Sequence, residues 1–315
     1  MGIEKRKVRQ SLTHEILKMN DLFIILTASL VAINASVLGV FLVLRKMSMV
    51  GDAISHSVLP GIVVAYFLSG DRTSPLLLIG AALTGVLTSF LINWLSKRAK
   101  IQGDASIGIT YTFLFAVGMI MIAGGVQGNV DIDMECVLYG DIALINLDKV
   151  IVDGNLYLGP RAFFIEGFAT IIIALVVGIG FKGFKLLSFN QDFGWSLGLN
   201  MNKWHYIMMG LVSLVTVVSF EVVGAILVVG FLIIPAATAQ LVTLKLKRMM
   251  LLASLIGVLA VVIGYFVAVQ FNVSITGAMV SVSGLIFFIT LGVKQIKRRS
   301  NTPQVESEKI KKQIV

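Results

Sequence analysis

Nine long apolar runs, joined by short polar connections, limit the possible folds of this chain more than any other feature. Each approaches the ~20 residues that a helix needs to cross a membrane, and none shows the two-residue alternation of membrane barrel strands. Residues 204–243 could also form one interrupted element, so we predict an all-α polytopic transmembrane bundle with eight or nine spans. The runs lie at about 21–44, 50–69, 75–95, 105–125, 163–181, 204–219, 222–243, 249–270 and 274–293.

The composition agrees with a membrane protein and excludes several other classes. Only 14% of the residues are charged and 57% are hydrophobic, whereas soluble domains carry about 25% charged residues. Disorder requires the opposite balance. A single cysteine, Cys136, excludes a disulfide framework or a cysteine-based zinc module. The net charge is +9, but the basic tail follows an apolar run, which is typical of a cytoplasmic membrane flank and not of a nucleic-acid site.

Basic residues predict which connections are cytoplasmic. Lys/Arg clusters follow the third, seventh and ninth runs, and Arg45 and Lys46 follow the first. With nine crossings all of these lie inside, and the acidic loop 126–162 lies outside. The same count places the basic segment 1–20 outside, so either this segment lies along the membrane interface or one crossing is miscounted.

The predicted organisation follows from these assignments. Residues 1–20 form a basic N-terminal segment, 21–293 form the transmembrane domain, and 294–315 form a basic cytoplasmic tail. We expect a multi-pass protein of a cytoplasmic membrane, in contact with lipid.

The second run begins with ionisable residues, which are costly inside a membrane and therefore mark functional positions. Asp52 and His56 lie four residues apart, on one face of a helix. A carboxylate and an imidazole form half of a site for a divalent transition metal. Pro60 would break the helix and free the carbonyl group of residue 56. Alternatively, Asp52 caps the helix and His56 is a hydrogen-bonded interior histidine; the spacing alone does not decide.

Other polar positions have weaker interpretations. Glu221 is either a second ligand or gate residue, or a solvated residue between two helices, and the second interpretation is favoured. Pro235 predicts a second broken helix, and paired broken helices often line a membrane pathway. Glu166 follows Arg161 closely enough to form an ion pair at the interface. The amphipathic segment 186–200 would lie on the membrane or bind a partner protein.

Several stretches closely resemble one family, the membrane permeases of manganese/zinc/iron ABC importers. The most specific is Gly51–Gly61, with the pattern Gly-Asp-x-x-Ser-His-x-x-x-Pro-Gly, which follows the similar stretch Gly39–Ser48. Gly103–Ile109, Val223–Val229 and Leu232–Ala239 are also similar. The resemblance covers roughly the whole membrane part of the chain.

The resemblance implies a fold and a function that composition does not show. Asp52 and His56 would bind the transported Mn, Zn or ferrous ion, with no permanent cofactor. The permease would be a homodimer or pair of permeases that binds two cytoplasmic ATPase subunits and receives metal from an extracytoplasmic binding protein. It would not itself be an enzyme, and it would lie in a bacterial cytoplasmic (inner) membrane. The coupling helix, which contacts the ATPase, would contain Gln191, Asp192, Phe193, Gly194, Leu197 and Gly198.

Two other functions remain open at this point. One is an ABC permease for a metal chelate, such as a siderophore or cobalamin, whose pathway would be wide and would lack paired ligands. The other is an intramembrane metalloenzyme, which would need a third ligand and a catalytic acid or base; Glu221 is the one candidate.

Overall fold

The structure, a computed structural model, describes residues 2–70, 75–125, 142, 145, 149–152 and 156–301. Most of the acidic loop, including Cys136, and the end of the basic tail therefore lie outside the described residues.

The described part of the chain consists of twelve α-helices and one antiparallel hairpin. The first half contains α1 (Gly2–Leu44), α2 (Val50–Ser57), α3 (Leu59–Ser69), α4 (Pro75–Arg98), α5 (Gly103–Gly125), β1 (Lys149–Val152) and β2 (Leu156–Pro160). The second half contains α6 (Arg161–Ile179), α7 (Phe181–Phe189), α8 (Gln191–Ser196), α9 (Met201–Val223), α10 (Ala225–Val242), α11 (Leu246–Phe271) and α12 (Ile275–Asn301).

Nine stretches of these helices are long and apolar enough to cross a membrane, within the residues that the structure describes. The second of them consists of α2 and α3 together, and α7 and α8 are short connecting helices between the fifth and sixth. The prediction of an all-α bundle with eight or nine spans is confirmed, with nine as the number in the described residues. The basic N-terminal segment continues directly into the first span, because α1 is helical from Gly2 to Leu44.

The two predicted helix breaks have different outcomes. The helix is interrupted only at Val58, between α2 and α3, which keeps helical backbone angles (φ −73°, ψ −15°), and Pro60 occupies the first turn of α3. At Pro235, by contrast, the prediction of a broken helix is wrong, because α10 continues on both sides of it. The proline removes one backbone hydrogen bond, to the carbonyl of Phe231, and tight packing of a buried transmembrane helix outweighs that loss. The break lies at Gly224 instead, whose φ of 78° favours glycine, so residues 204–243 form two helices.

Close helix contacts place α2 and α10 side by side. Gly39 of α1 lies directly against the backbone of Leu232 in α10, where a Cβ atom would overlap the Leu232 carbonyl oxygen. Gly51 of α2 lies against the Leu232 side chain, with a Cβ atom reaching within 2.6 Å of its Cδ1. Small residues allow such approaches between membrane helices. The polar face of α2 therefore lies next to one wall of α10.

Candidate metal site and coupling segment

Asp52 and His56 lie together on one face of α2, as their spacing predicts. The Nε2 atom of His56 is 3.7 Å from the Oδ1 atom of Asp52, and the two side chains are 40% and 37% exposed respectively. This distance is too long for a hydrogen bond. Two ligand atoms that share a tetrahedral metal, each at ~2.1 Å, are about 3.4 Å apart. A small side-chain rotation would therefore let both atoms bind one ion.

The two alternative roles for this pair do not fit the geometry. The N-cap of α2 is Met49, Asp52 lies in the first turn, and no side chain caps this end of the helix. His56 is not an enclosed histidine, since 40% of its side chain is exposed. The enclosed polar residues of α2 lie elsewhere: Ser57 is hydrogen-bonded to Thr88 of α4 at 2.6 Å. The helix thus separates a packing face from the face that carries Asp52 and His56.

This second face opens onto a cavity of about 490 Å³. Its other wall is the apolar side of α10, formed by Ala225, Ile226, Val229, Gly230, Ile233 and Ile234. On the side of α5, the rings of Tyr111 and Phe115 lie 6.1 and 6.2 Å from the His56 ring. The paired ligand atoms are therefore the polar feature of a cavity with largely hydrophobic walls.

One copy of the chain supplies only part of a coordination shell. Within the described residues, no group of three or more His, Cys, Asp or Glu side chains could hold a metal ion. A transition metal needs at least four ligands, so Asp52 and His56 leave positions for water, backbone oxygen atoms or ligands from another molecule.

The remaining residues of the predicted pathway do not line this cavity. Glu221 lies in the last turn of α9, is exposed, and is not among the lining residues. Pro60 and Pro235 are both buried and are also outside the lining. Pro60 places the helix break next to His56, whereas Pro235 packs inside the bundle.

The segment predicted to be the coupling helix forms a short exposed helix, α8, between α7 and α9. Its N-cap is Asn190, whose side chain accepts a hydrogen bond from the Phe193 backbone at 2.9 Å. The Phe193, Trp195 and Leu197 side chains are 53%, 47% and 56% exposed and form an apolar surface on this segment. The predicted residues Gln191 and Asp192 form its first turn, Gly194 is buried, and Gly198 ends the segment at φ 77°.

Glu166 is not the interfacial residue that its proximity to Arg161 predicts. It is fully buried, and its Oε2 atom accepts a hydrogen bond from the Asn34 side chain of α1 at 3.1 Å. The partner lies far away in sequence, so no local spacing could reveal it.

A contact between Arg45 and His205 was not predicted from the sequence. The Nη1 atom of Arg45 lies 2.8 Å from the Nδ1 atom of His205. Burial lowers the pKa of Arg45 to about 10, so the guanidinium remains charged at neutral pH. A histidine near the end of a span was visible in the sequence, but its partner was not.

Comparison with known proteins agrees with this architecture. A family model described as the ABC 3 transport family matches residues 21–294. The chain is 42% identical over 268 residues to the manganese transport system membrane protein MntD of Bacillus subtilis, covering 85% of this chain and 90% of that protein. It is 36% identical over 264 residues to the zinc transport system membrane protein TroD of Treponema pallidum, covering 84% of this chain and 71% of that protein.

A solved structure is also similar. The structure of PsaBC from Streptococcus pneumoniae in complex with Fab matches with a TM-score of 0.69 and 34% identity, covering 85% of this chain and 90% of that chain. The family model spans the whole membrane part of the sequence, and the relatives match along most of their lengths. The chain therefore belongs to the ABC 3 transport family.

Proposed function

We propose that this chain is the permease of an ATP-driven importer of divalent transition-metal ions, with Mn²⁺ as the first candidate and Zn²⁺ or Fe²⁺ as alternatives. The observation that carries the proposal is the pair of ligand atoms, Asp52 Oδ1 and His56 Nε2, 3.7 Å apart at a hydrophobic cavity. Oxygen and imidazole ligands suit all three ions. The relatives named above carry manganese and zinc transport in their names, which supports the same class of cargo here.

A second copy of the permease would complete the metal site. Two ligands from one chain leave the ion incompletely coordinated, and the cavity is open beside α10, where Ile226 is 63% exposed. In a symmetric dimer the same surface of both copies meets, so Asp52 and His56 of each would face one ion. The ion would bind only transiently, because a tightly closed shell would hold it in the pathway.

The α8 segment would bind the ATPase. An exposed amphipathic helix is a common element for docking in a hydrophobic groove, and Phe193 and Trp195 supply its apolar surface. Two ATPase subunits, one for each permease, would drive the alternation. A binding protein on the outer side would deliver the metal.

The test is metal uptake by liposomes that contain the permease with its ATPase and binding protein. We expect ATP-dependent uptake of radioactive Mn²⁺, and Asp52→Asn should reduce it by more than about a hundredfold, because replacing a direct ligand should exceed the 10–100-fold cost of losing an outer-shell partner. Asp104→Asn is the matched control, since Asp104 is an exposed carboxylate in the first turn of another membrane helix, α5.

Several outcomes would contradict the proposal. Full uptake by the Asp52→Asn variant would show that Asp52 is not a ligand of the transported ion. Uptake of a metal chelate but not of the free ion would identify the cargo as a chelate. Stronger competition by Zn²⁺ or Fe²⁺ than by unlabelled Mn²⁺ would contradict the choice of Mn²⁺ as first candidate, although not the class of cargo.

A further inference from the structure

The hydrogen bond between Arg45 and His205 joins the two segments on which the proposed function depends. Arg45 directly follows α1 and precedes α2, which carries Asp52 and His56. His205 lies in the second turn of α9, shortly after α8. The two residues are 160 positions apart, and the contact is the only hydrogen bond that the described part of the chain gives the His205 side chain.

On the metal side, backbone hydrogen bonds tie Arg45 to the start of α2. The Arg45 amide donates to Phe41 at 3.2 Å, and the Met47 amide donates to Leu42 at 2.9 Å. The Val50 amide, at the start of α2, donates to Met47 at 3.1 Å. A displacement of Arg45 therefore moves a hydrogen-bonded turn whose far end begins the helix with the metal ligands.

On the ATPase side, α8 is packed onto the start of α9. A Cβ atom on Gly194 would lie 2.5 Å from the Met201 sulfur, so the two helices are in close contact. The Leu199 amide also donates to the Gly194 carbonyl at 3.1 Å. Next to His205, the ring of Trp204 lies 5.2 Å from that of Phe184. A movement of α8 would therefore shift the turn of α9 that holds His205.

The chemistry of the contact fixes the direction of the bond. A guanidinium has only donors, so the Nδ1 atom of His205 must accept. His205 is 6% exposed, and a hydrogen bond from a charged donor is stronger than a neutral one. The nearby cation Lys97 is held by Asn202 at 3.2 Å and does not replace Arg45 in the contact.

We propose that the Arg45–His205 hydrogen bond transmits movement of α8, driven by the ATPase, to the metal-binding end of α2. This inference rests on the proposed function. Neither residue lines the metal cavity, so both are positioning residues and not ligands. The bond joins the turn that precedes α2 to the start of α9, and α9 also packs directly against α2, so movement of α9 and of this turn reaches the same helix.

The test measures ATP hydrolysis and Mn²⁺ uptake together in liposomes that contain the complete transporter. His205→Asn keeps an acceptor near the Nδ1 position, whereas His205→Gln moves it toward the Nε2 position. We expect His205→Gln and Arg45→Met to raise the ATP hydrolysed per ion by about tenfold, the equilibrium effect of losing a charge-assisted hydrogen bond. His205→Asn should stay within about twofold of the original protein, because the accepted bond remains.

Each other result overturns the inference. An unchanged ATP-to-metal ratio in His205→Gln would show that the contact is not used, and equal loss in His205→Asn and His205→Gln would show that the Nδ1 acceptor is not what matters. A variant that no longer co-purifies with the ATPase would place the contact in docking and not in transmission. The unsubstituted transporter is measured first. If it hydrolyses ATP but moves no metal, the proposed function fails, and this failure is distinct from any difference between the variants.

Discussion

Asp52 and Glu166 are both carboxylates in membrane-spanning helices, and the fold surrounds them in opposite ways. The Asp52 side chain is 37% exposed at a cavity, with its nearest polar partner, His56, beyond hydrogen-bond distance. Glu166 is fully buried and hydrogen-bonded to Asn34. The difference shows that a polar group inside the membrane is not by itself a site. A carboxylate can bind an ion when its lone pairs face open space, and it joins helices when it is enclosed and a side chain from another helix donates to one of its oxygen atoms, as Asn34 does to Glu166 Oε2.

The largest expected effect is the loss of transport when the open pair is truncated. Asp52→Ala or His56→Ala should lower Mn²⁺ uptake by more than about a hundredfold, because each removes a proposed metal ligand. Both side chains are more than a third exposed, so the melting temperature should stay within about 2 °C of the original. Uptake in liposomes and thermal unfolding in detergent, followed by tryptophan fluorescence, measure the two quantities. A large fall in melting temperature would show that Asp52 has the structural role assigned here to Glu166.

The enclosed carboxylate should give the reverse pattern. Glu166→Ala leaves the Asn34 amide buried without its acceptor, which should cost about 2 kcal/mol of stability and lower the melting temperature by roughly 5 °C. Glu166→Gln keeps an acceptor oxygen and should cost less than about 1 kcal/mol. Uptake per folded transporter should be unchanged in the glutamine variant. If that variant folds normally but no longer transports metal, Glu166 has a function beyond joining helices.

Replacing both partners sharpens the same contrast. Single exchanges Glu166→Leu and Asn34→Leu each strand a buried polar group, whereas the double exchange removes both, so the double variant should be less than about 1 kcal/mol from the original protein. The matched double exchange of Asp52 and His56 to leucine should keep the fold and lose uptake entirely. Thermal unfolding of the original protein, the two single variants of Glu166 and Asn34, and their double variant forms a double-mutant cycle. Purely additive losses for Glu166 and Asn34 would show that the two do not act as a pair.

The sequence predicted the open site much better than the enclosed one, for a physical reason. The spans follow from the thickness of the bilayer, and Asp52 and His56 share a face because a helix repeats every 3.6 residues. Both rules act locally along the chain. The bond from Asn34 to Glu166 depends on how distant helices pack, and so does the uninterrupted helix around Pro235. Local spacing instead suggested the wrong partner for Glu166 and a break that packing prevents.

A third carboxylate, Glu221, should give the smallest change in uptake and stability when it is replaced. Glu221 is exposed near the end of α9, outside the residues that line the cavity beside Asp52 and His56. Because an exposed surface carboxylate contributes little to stability and Glu221 does not face the ion, Glu221→Gln should keep Mn²⁺ uptake within about twofold and the melting temperature within about 1 °C. The same liposome assay measures it beside Asp104→Asn as the exposed control. A loss of uptake similar to that of Asp52→Ala would place Glu221 in the pathway. Lining the cavity beside α10 would then no longer be the property that distinguishes a carboxylate that binds metal from one that does not.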